Sequence, residues 1–286
     1  MPPTPLAVTG STGRLGGRVA ARLADAKVPQ RLLVRRPERA PRLPDSTVVA
    51  ASYDDGDAVR NALTGVDVVF MVSAAEDEHR VSQHRTFVDA AVAAGVRHLV
   101  YTSFFGAAPD ATFTHARDHA ATEEYVRRSG LGWTFLRNNL YADFLPGLGG
   151  DDGVIRGPAG DGRVSAVTQD DLADVATAVL LEPTRHVGQT YDLTGPEALT
   201  LADAAAIITE VTGRPTRYQP ETLEEAYASR ATYGAPGWLV EAWISTYTAI
   251  AAGELAGIST AVAELTGRPA TSFEQLLRGA RENTPG

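Results

Sequence analysis

Three glycines, at positions 10, 13 and 16 in Thr9-Gly10-Ser11-Thr12-Gly13-Arg14-Leu15-Gly16, have the spacing that most directly implies chemistry in this chain of 286 residues. The run lies between a short apolar stretch over 6–9 and an amphipathic stretch over 14–26. Glycines so placed permit a tight turn, close approach of main chain to a diphosphate, and close helix–strand contact. The N-terminus of the following helix offers free N–H groups and a positive dipole end to the anion. The pattern therefore predicts a dinucleotide site at Gly10, Gly13 and Gly16, with Arg14 adding charge.

A second group selects the dinucleotide. The next apolar run ends at Val34 and is followed by Arg35 and Arg36, with no acid between Gln30 and Pro37. A fold that prefers NAD carries an acid here, about 20 residues past the glycines, for the ribose 2′-hydroxyl; an arginine accommodates a 2′-phosphate instead. The expected cofactor is NADP, as NADPH.

Absences narrow the chemistry. Lys27 is the only lysine, which excludes a GK[ST] phosphate loop and any Schiff base except at Lys27. The lack of cysteine excludes thiol nucleophiles, disulfides, thiolate metal sites and iron–sulfur clusters. No HExxH or clustered carboxylate–histidine spacing suggests a metal, and Asp151-Asp152 and Gln169-Asp170-Asp171 read as turn and helix-cap acids. No GxSxG elbow is present. A formal charge of −9, from 26 basic and 35 acidic side chains, argues against duplex nucleic acid. No apolar run of about 18 residues predicts a membrane span. Met1-Pro-Pro-Thr-Pro does not read as a secretory signal, so the expected location is the cytoplasm.

The elements that must position these residues alternate. Strands are expected at 6–9, 31–34, 47–51, 67–72, 97–102 and 133–136, with helices over 14–26, 57–63, 81–94 and 115–129. This order predicts an α/β fold, a Rossmann-type doubly wound parallel sheet. The stretch 138–163, rich in Gly, Pro and Asp, reads as a long binding loop. A helix over 170–181, a strand over 190–193 and helices from about 201, 223 and 237 follow. The expected division is 1–150 for the dinucleotide domain, its sheet completed by 164–195. A smaller, mostly helical substrate lobe over 151–286 is interleaved with it.

The segments TGSTGRLGG, LVRRP, SQHRTFVDAAVAAGVRHLVYTS, HARDHAATEEYV, TFLRNNLYADF and GPAGDGRVSAVTQDDLADVA together resemble an atypical short-chain dehydrogenase/reductase. The likeness is to the NmrA-like group and its NAD(P)H:quinone oxidoreductase type 2 branch, and it runs from Leu6 to about Leu277. It implies an extended Rossmann domain with a C-terminal lobe forming the substrate cleft. It implies cofactor contacts at Gly10, Thr12, Gly13, Leu15, Gly16 and Arg35, at Val72, Ser73 and Ala74 beside the second ribose, and at Thr102 and Ser103 near the nicotinamide. Asn138, Asn139, Leu140 and Tyr141 match the turn that approaches the nicotinamide, which makes Asn138 and Tyr141, together with His119, the candidate catalytic residues.

The Tyr-x-x-x-Lys pair of typical short-chain dehydrogenases is missing, because no tyrosine has a lysine four residues on. His119 stands at the matching lysine position, where its ring nitrogens could hold ribose hydroxyls, and His115 stands near the tyrosine position. The other reading is a solvated i,i+4 histidine pair. Without a dedicated acid, carbonyl-to-alcohol reduction is disfavoured, whereas quinone reduction is driven by aromatisation and can draw protons from water. The expected activity is NADPH-dependent hydride transfer to a quinone or related conjugated carbonyl. The expected partner is that small molecule, on a monomer or homodimer. The alternative is an NADP(H)-binding redox sensor that catalyses little.

Overall fold

The structure, a computed structural model, describes residues 6–282; the N-terminal stretch read against a secretory signal lies outside them. The first strand, β1 (Leu6–Thr9), is buried along its whole length, as a strand covered on both faces must be. The glycine turn leads into α1 (Arg14–Asp25), which turns Leu15, Val19, Ala20 and Leu23 inward at helical spacing. Then come β2 (Gln30–Val34), β3 (Ser46–Ala50), α2 (Gly56–Leu63), β4 (Val68–Met71), α3 (Arg80–Ala93), β5 (His98–Phe104), α4 (Thr114–Arg128) and β6 (Gly132–Asn138). Each sequence-predicted strand and helix in this stretch is present, its ends shifted by at most two residues.

The later chain forms β7 (Val154–Gly157), β8 (Arg163–Val164), α5 (Gln169–Leu181), β9 (Gln189–Leu193), β10 (Leu199–Thr200), α6 (Leu201–Thr212) and β11 (Arg217–Pro220). Helices α7 (Leu223–Ala231), α8 (Gly237–Ala251), α9 (Ala261–Thr266) and α10 (Phe273–Glu282) follow. The main sheet has the order β3-β2-β1-β4-β5-β6-β9. The pairs β1–β2, β1–β4, β2–β3 and β4–β5 are parallel, with Ala7 opposite Arg31 on one side and Val69 on the other. Strand order reverses between β1 and β4, and in open parallel sheets such a switch point opens a ligand crevice at the strands' C-terminal ends. The sheet is thus the expected doubly wound one, and β9 completes it from within the stretch 164–195.

Two compact units share the chain. The first comprises residues up to Phe104, then Asp118–Arg137 and Leu172–Tyr191. Its core joins Leu33, Val59, Leu63, Val69, Met71, Phe87, Leu99, Tyr101 and Phe135, each apolar side chain contributing about 1.5–3 kcal/mol on burial. The second comprises Phe105–Arg117, Asn138–Asp171 and the chain from Asp192. The units therefore change over at several points along the chain. In the second unit β7 pairs with β11 in parallel and β8 with β10 antiparallel. Helices α6 and α7 start at capping boxes, Thr200 with Asp203 and Thr222 with Glu225.

The stretch expected as a loop, 138–163, holds a 3-10 turn at Ala142–Gly149 and strand β7. Its glycine-rich sequence hides a strand because the pairing partner lies some sixty residues further on, Val154 opposite Arg217. No helix among the described residues is long and apolar enough to cross a membrane.

Candidate dinucleotide and acceptor site

Gly10 adopts φ +65, and its carbonyl accepts the Gly13 N–H at 2.9 Å, closing the turn after β1. A side chain at Gly16 would place its Cβ 2.4 Å from the Gly10 oxygen and 2.7 Å from the Thr9 oxygen, so only glycine lets α1 approach β1 this closely. Gly17, which sequence reasoning left out, is less tight, its Cβ position 3.1 Å from the Ser11 oxygen. Gly13 caps α1 and itself brings no side chain to the first-turn amides. Thr12, Gly13 and Arg14 at the apex are exposed, while Leu15 and Gly16 are buried and anchor the helix. The buried Ser11 hydroxyl has no hydrogen-bond partner. An exposed amide-lined turn on a helix N-terminus fits a diphosphate. Arg35 and Arg36 are exposed directly after β2, and the Arg35 charge is felt at Tyr53 and Asp54.

Past β4 the chain is held by side chains. The Val72 N–H donates to Thr9 Oγ1 at 2.9 Å, and the Val72 carbonyl accepts the Tyr53 hydroxyl at 2.6 Å. The Thr9 and Tyr53 hydroxyls lie 2.6 Å apart. The Ser73 N–H donates to Thr102 Oγ1 at 2.7 Å. The Ala74 N–H donates to His84 Nε2 at 2.9 Å, and the Ala74 carbonyl accepts Arg80 Nε–H at 3.0 Å. Burial lifts the Tyr53 phenol well above its ordinary pKa. Burial, with the Arg80 charge second, pushes the His84 imidazole down to about 3, so it stays neutral and accepts at Nε2.

His119 and His115 are buried, not a solvated pair. Arg80 Nη2 donates to His119 Nε2 at 3.1 Å, which puts the imidazole proton on Nδ1, 2.9 Å from the Tyr101 hydroxyl. The ring also stacks on Phe104, with centroids 6.1 Å apart. His84 Nδ1 donates to Thr122 Oγ1 at 2.9 Å, and Thr122 donates to the Asp118 carbonyl. Ser103 is fully buried and donates to Glu123 at 2.6 Å. The Glu123 carboxylate, also fully buried, takes a two-point contact from Arg137, at 2.8 and 2.7 Å, and one from Arg127 at 2.8 Å. Sequence reasoning missed Tyr53, Arg80, His84 and Glu123 as site-building residues. Only the segments carrying His84 and Glu123 had drawn notice.

In the second unit, Asn138 is buried, and its carbonyl accepts the Phe105 N–H at 3.0 Å. Asn139 is a hub: its Nδ2 donates to Ser165 Oγ and the Leu255 carbonyl, and its Oδ1 accepts the Leu140 N–H. The Ala142 N–H donates to the Val167 carbonyl and the Val167 N–H to the Leu140 carbonyl, a parallel bridge that fixes the turn. Tyr141 is half-buried with Phe144 edge-on at 5.4 Å, and Phe144 itself is exposed.

A doubly wound sheet with an open glycine turn at its first crossover defines a Rossmann-type dinucleotide-binding protein. A family model described as NAD(P)H-binding matches residues 10–183. The chain is 40% identical over 276 residues to the (4-alkanoyl-5-oxo-2,5-dihydrofuran-3-yl)methyl phosphate reductase of Streptomyces griseus, covering 93% of this chain and 94% of that one. It is 34% identical to the NAD(P)H azoreductase of Xenophilus azovorans, covering 95% and 96%. The NADPH-dependent quinone oxidoreductase of Escherichia coli, solved in complex with NADPH, superposes with a TM-score of 0.87 at 32% identity, covering 96% of this chain and 99% of that one. The chain belongs to the NAD(P)H-binding family, in its NmrA-like, quinone-oxidoreductase-type branch. It is an NAD(P)H-dependent oxidoreductase.

Proposed function

We propose that the protein reduces a quinone or related conjugated acceptor with NADPH, without a Tyr-x-x-x-Lys proton relay. The observation that carries this reading is the open glycine turn on α1 with Arg35 directly after β2. The names of the similar proteins add support: a dihydrofuranone, an azo compound and a quinone all present a conjugated electrophile. When bound, NADPH supplies a hydride from nicotinamide C4.

Thr12, Leu15 and Gly16 would hold the diphosphate through main-chain amides on the turn that Gly10 and Gly13 close, with Arg14 adding charge. Arg35 would take the 2′-phosphate. Val72, Ser73 and Ala74 would flank the second ribose, and Thr102 and Ser103 would lie near the nicotinamide. His119 is assigned a positioning role, because Arg80 and Tyr101 already hold both its ring nitrogens. Asn138 and Tyr141 would orient the acceptor. Conjugation spreads the developing negative charge over the acceptor, so water can supply the proton. That suits a chain whose single lysine, Lys27, follows no tyrosine at the required spacing.

Purified protein is expected to oxidise NADPH in the presence of a benzoquinone. Asn138→Ala and Tyr141→Phe should each lower kcat by about tenfold or more, as loss of acceptor orientation does. Tight NADPH binding with no turnover of any quinone, dihydrofuranone or azo acceptor would replace this reading with that of a redox sensor.

A further inference from the structure

The segment 72–74 is a loop with almost no free main chain. Its three consecutive N–H groups are taken by side chains from three different elements: Thr9 at the end of β1, Thr102 on β5 and His84 on α3. Two of its carbonyls are also taken, Val72 by Tyr53 and Ala74 by Arg80. Ordinary loops leave such groups to water. Here the holding groups are themselves held. Arg80 continues to His119, His119 to Tyr101, and His84 to Thr122. Arg80 and His84 are buried within one turn of α3, and they grip the two ends of the same residue, Ala74.

We propose that Tyr53, Arg80 and His84 are positioning residues for the cofactor, holding 72–74 in the conformation that receives it. The proposal rests on the reading that 72–74 flank the dinucleotide. None of the three touches the cofactor in this account; each acts through the main chain of Val72 or Ala74. A segment released from its clamp samples other conformations. Apparent affinity then falls by the fraction of molecules still competent to bind. With the amides of 72–74 occupied by protein, the segment meets its ligand through its side-chain face and the Ser73 hydroxyl, not by donating main-chain hydrogen bonds.

The test is calorimetric titration of NADPH into the full-length protein, with steady-state kinetics on a benzoquinone. Tyr53→Phe and His84→Ala are each expected to raise the Kd and KM for NADPH about tenfold, leaving kcat at saturating NADPH within about twofold. His84→Gln, whose side-chain carbonyl can accept the Ala74 N–H, should recover most of the affinity. Ile208→Ala, a core truncation on α6 in the second unit, should lower the melting temperature without moving the NADPH Kd.

Native affinity in both Tyr53→Phe and His84→Ala would overturn the proposal, as would a His84→Gln variant as weak as His84→Ala. Tyr53→Phe removes a single oxygen and carries the test if His84→Ala fails to fold. A native protein that takes up no NADPH would overturn the cofactor reading itself, an outcome separate from the others.

Discussion

His98 on β5 is buried, with Nε2 2.9 Å from Thr134 Oγ1, and the Thr134 hydroxyl in turn donates to the His186 carbonyl. Burial, with His186 as the second cause, pushes this imidazole down to about 4. The unfolded chain takes up a proton near pH 6.5, while the folded protein resists it until about pH 4. Stability is therefore unaffected by this group above pH 6.5 and falls as pH drops from there to about 4. The loss approaches about 1.4 kcal/mol per pH unit where only the unfolded state is protonated. Urea unfolding at pH 7 and pH 5 should show the fall, and His98→Gln should reduce it, the remainder including the share of His84, which burial depresses as well; an unchanged slope in that variant would locate the acid sensitivity elsewhere. Legibility at this scale depended on distance along the chain. The glycine turn could be read because its contacts lie within seven residues. Glu123 could not, because its partners Ser103 and Arg137 lie 20 and 14 residues away on two other elements. His119 was noticed by position, but its ring was read as facing a ligand or solvent. Nothing local reveals that Arg80, on a different helix, already occupies Nε2.

Among elements, the pair β1–β2 matters most for cofactor choice, since their parallel register puts Thr9 opposite Leu33 and brings the glycine turn and Arg35 to the same sheet end. Arg35→Ala is expected to weaken NADPH binding by about tenfold or more, the loss of one strong charge-assisted contact, and to leave NADH nearly unchanged. Calorimetry with both nucleotides checks this, and an equal loss for the two would remove Arg35 from the selection. The β–α–β units of the first unit were legible because each pairs a buried apolar run with an amphipathic helix close by in sequence. Strand β7 was not, because Val-Ile-Arg-Gly becomes a strand only against Arg217–Pro220. Local composition there pointed to a loop, and a distant partner overrode it.

For the whole molecule, connectivity constrains dissection. A chain ended at residue 150 would lose Leu172–Tyr191 from the first unit, and with it β9 and the hydrogen bond from Gly188 to the Trp133 carbonyl. Strand β6 would become a bare edge. Such a fragment is expected to show no cooperative unfolding transition by circular dichroism, whereas the full chain shows one; cooperative melting of the fragment would contradict the interleaving. The doubly wound sheet was readable from alternation alone, but the points where the chain passes between units were not, since one falls at the end of β5 and the others inside α4, β6, α5 and β9, which look uniform in sequence. Lys27 bears on practice. It follows α1 at the end opposite the glycine turn, separated from it by a twelve-residue helix about 18 Å long. Amine-directed tethering to a biosensor chip can therefore engage a single lysine side chain beside the α-amine, and a link made through Lys27 leaves the glycine-turn end of the helix pointed away from the support.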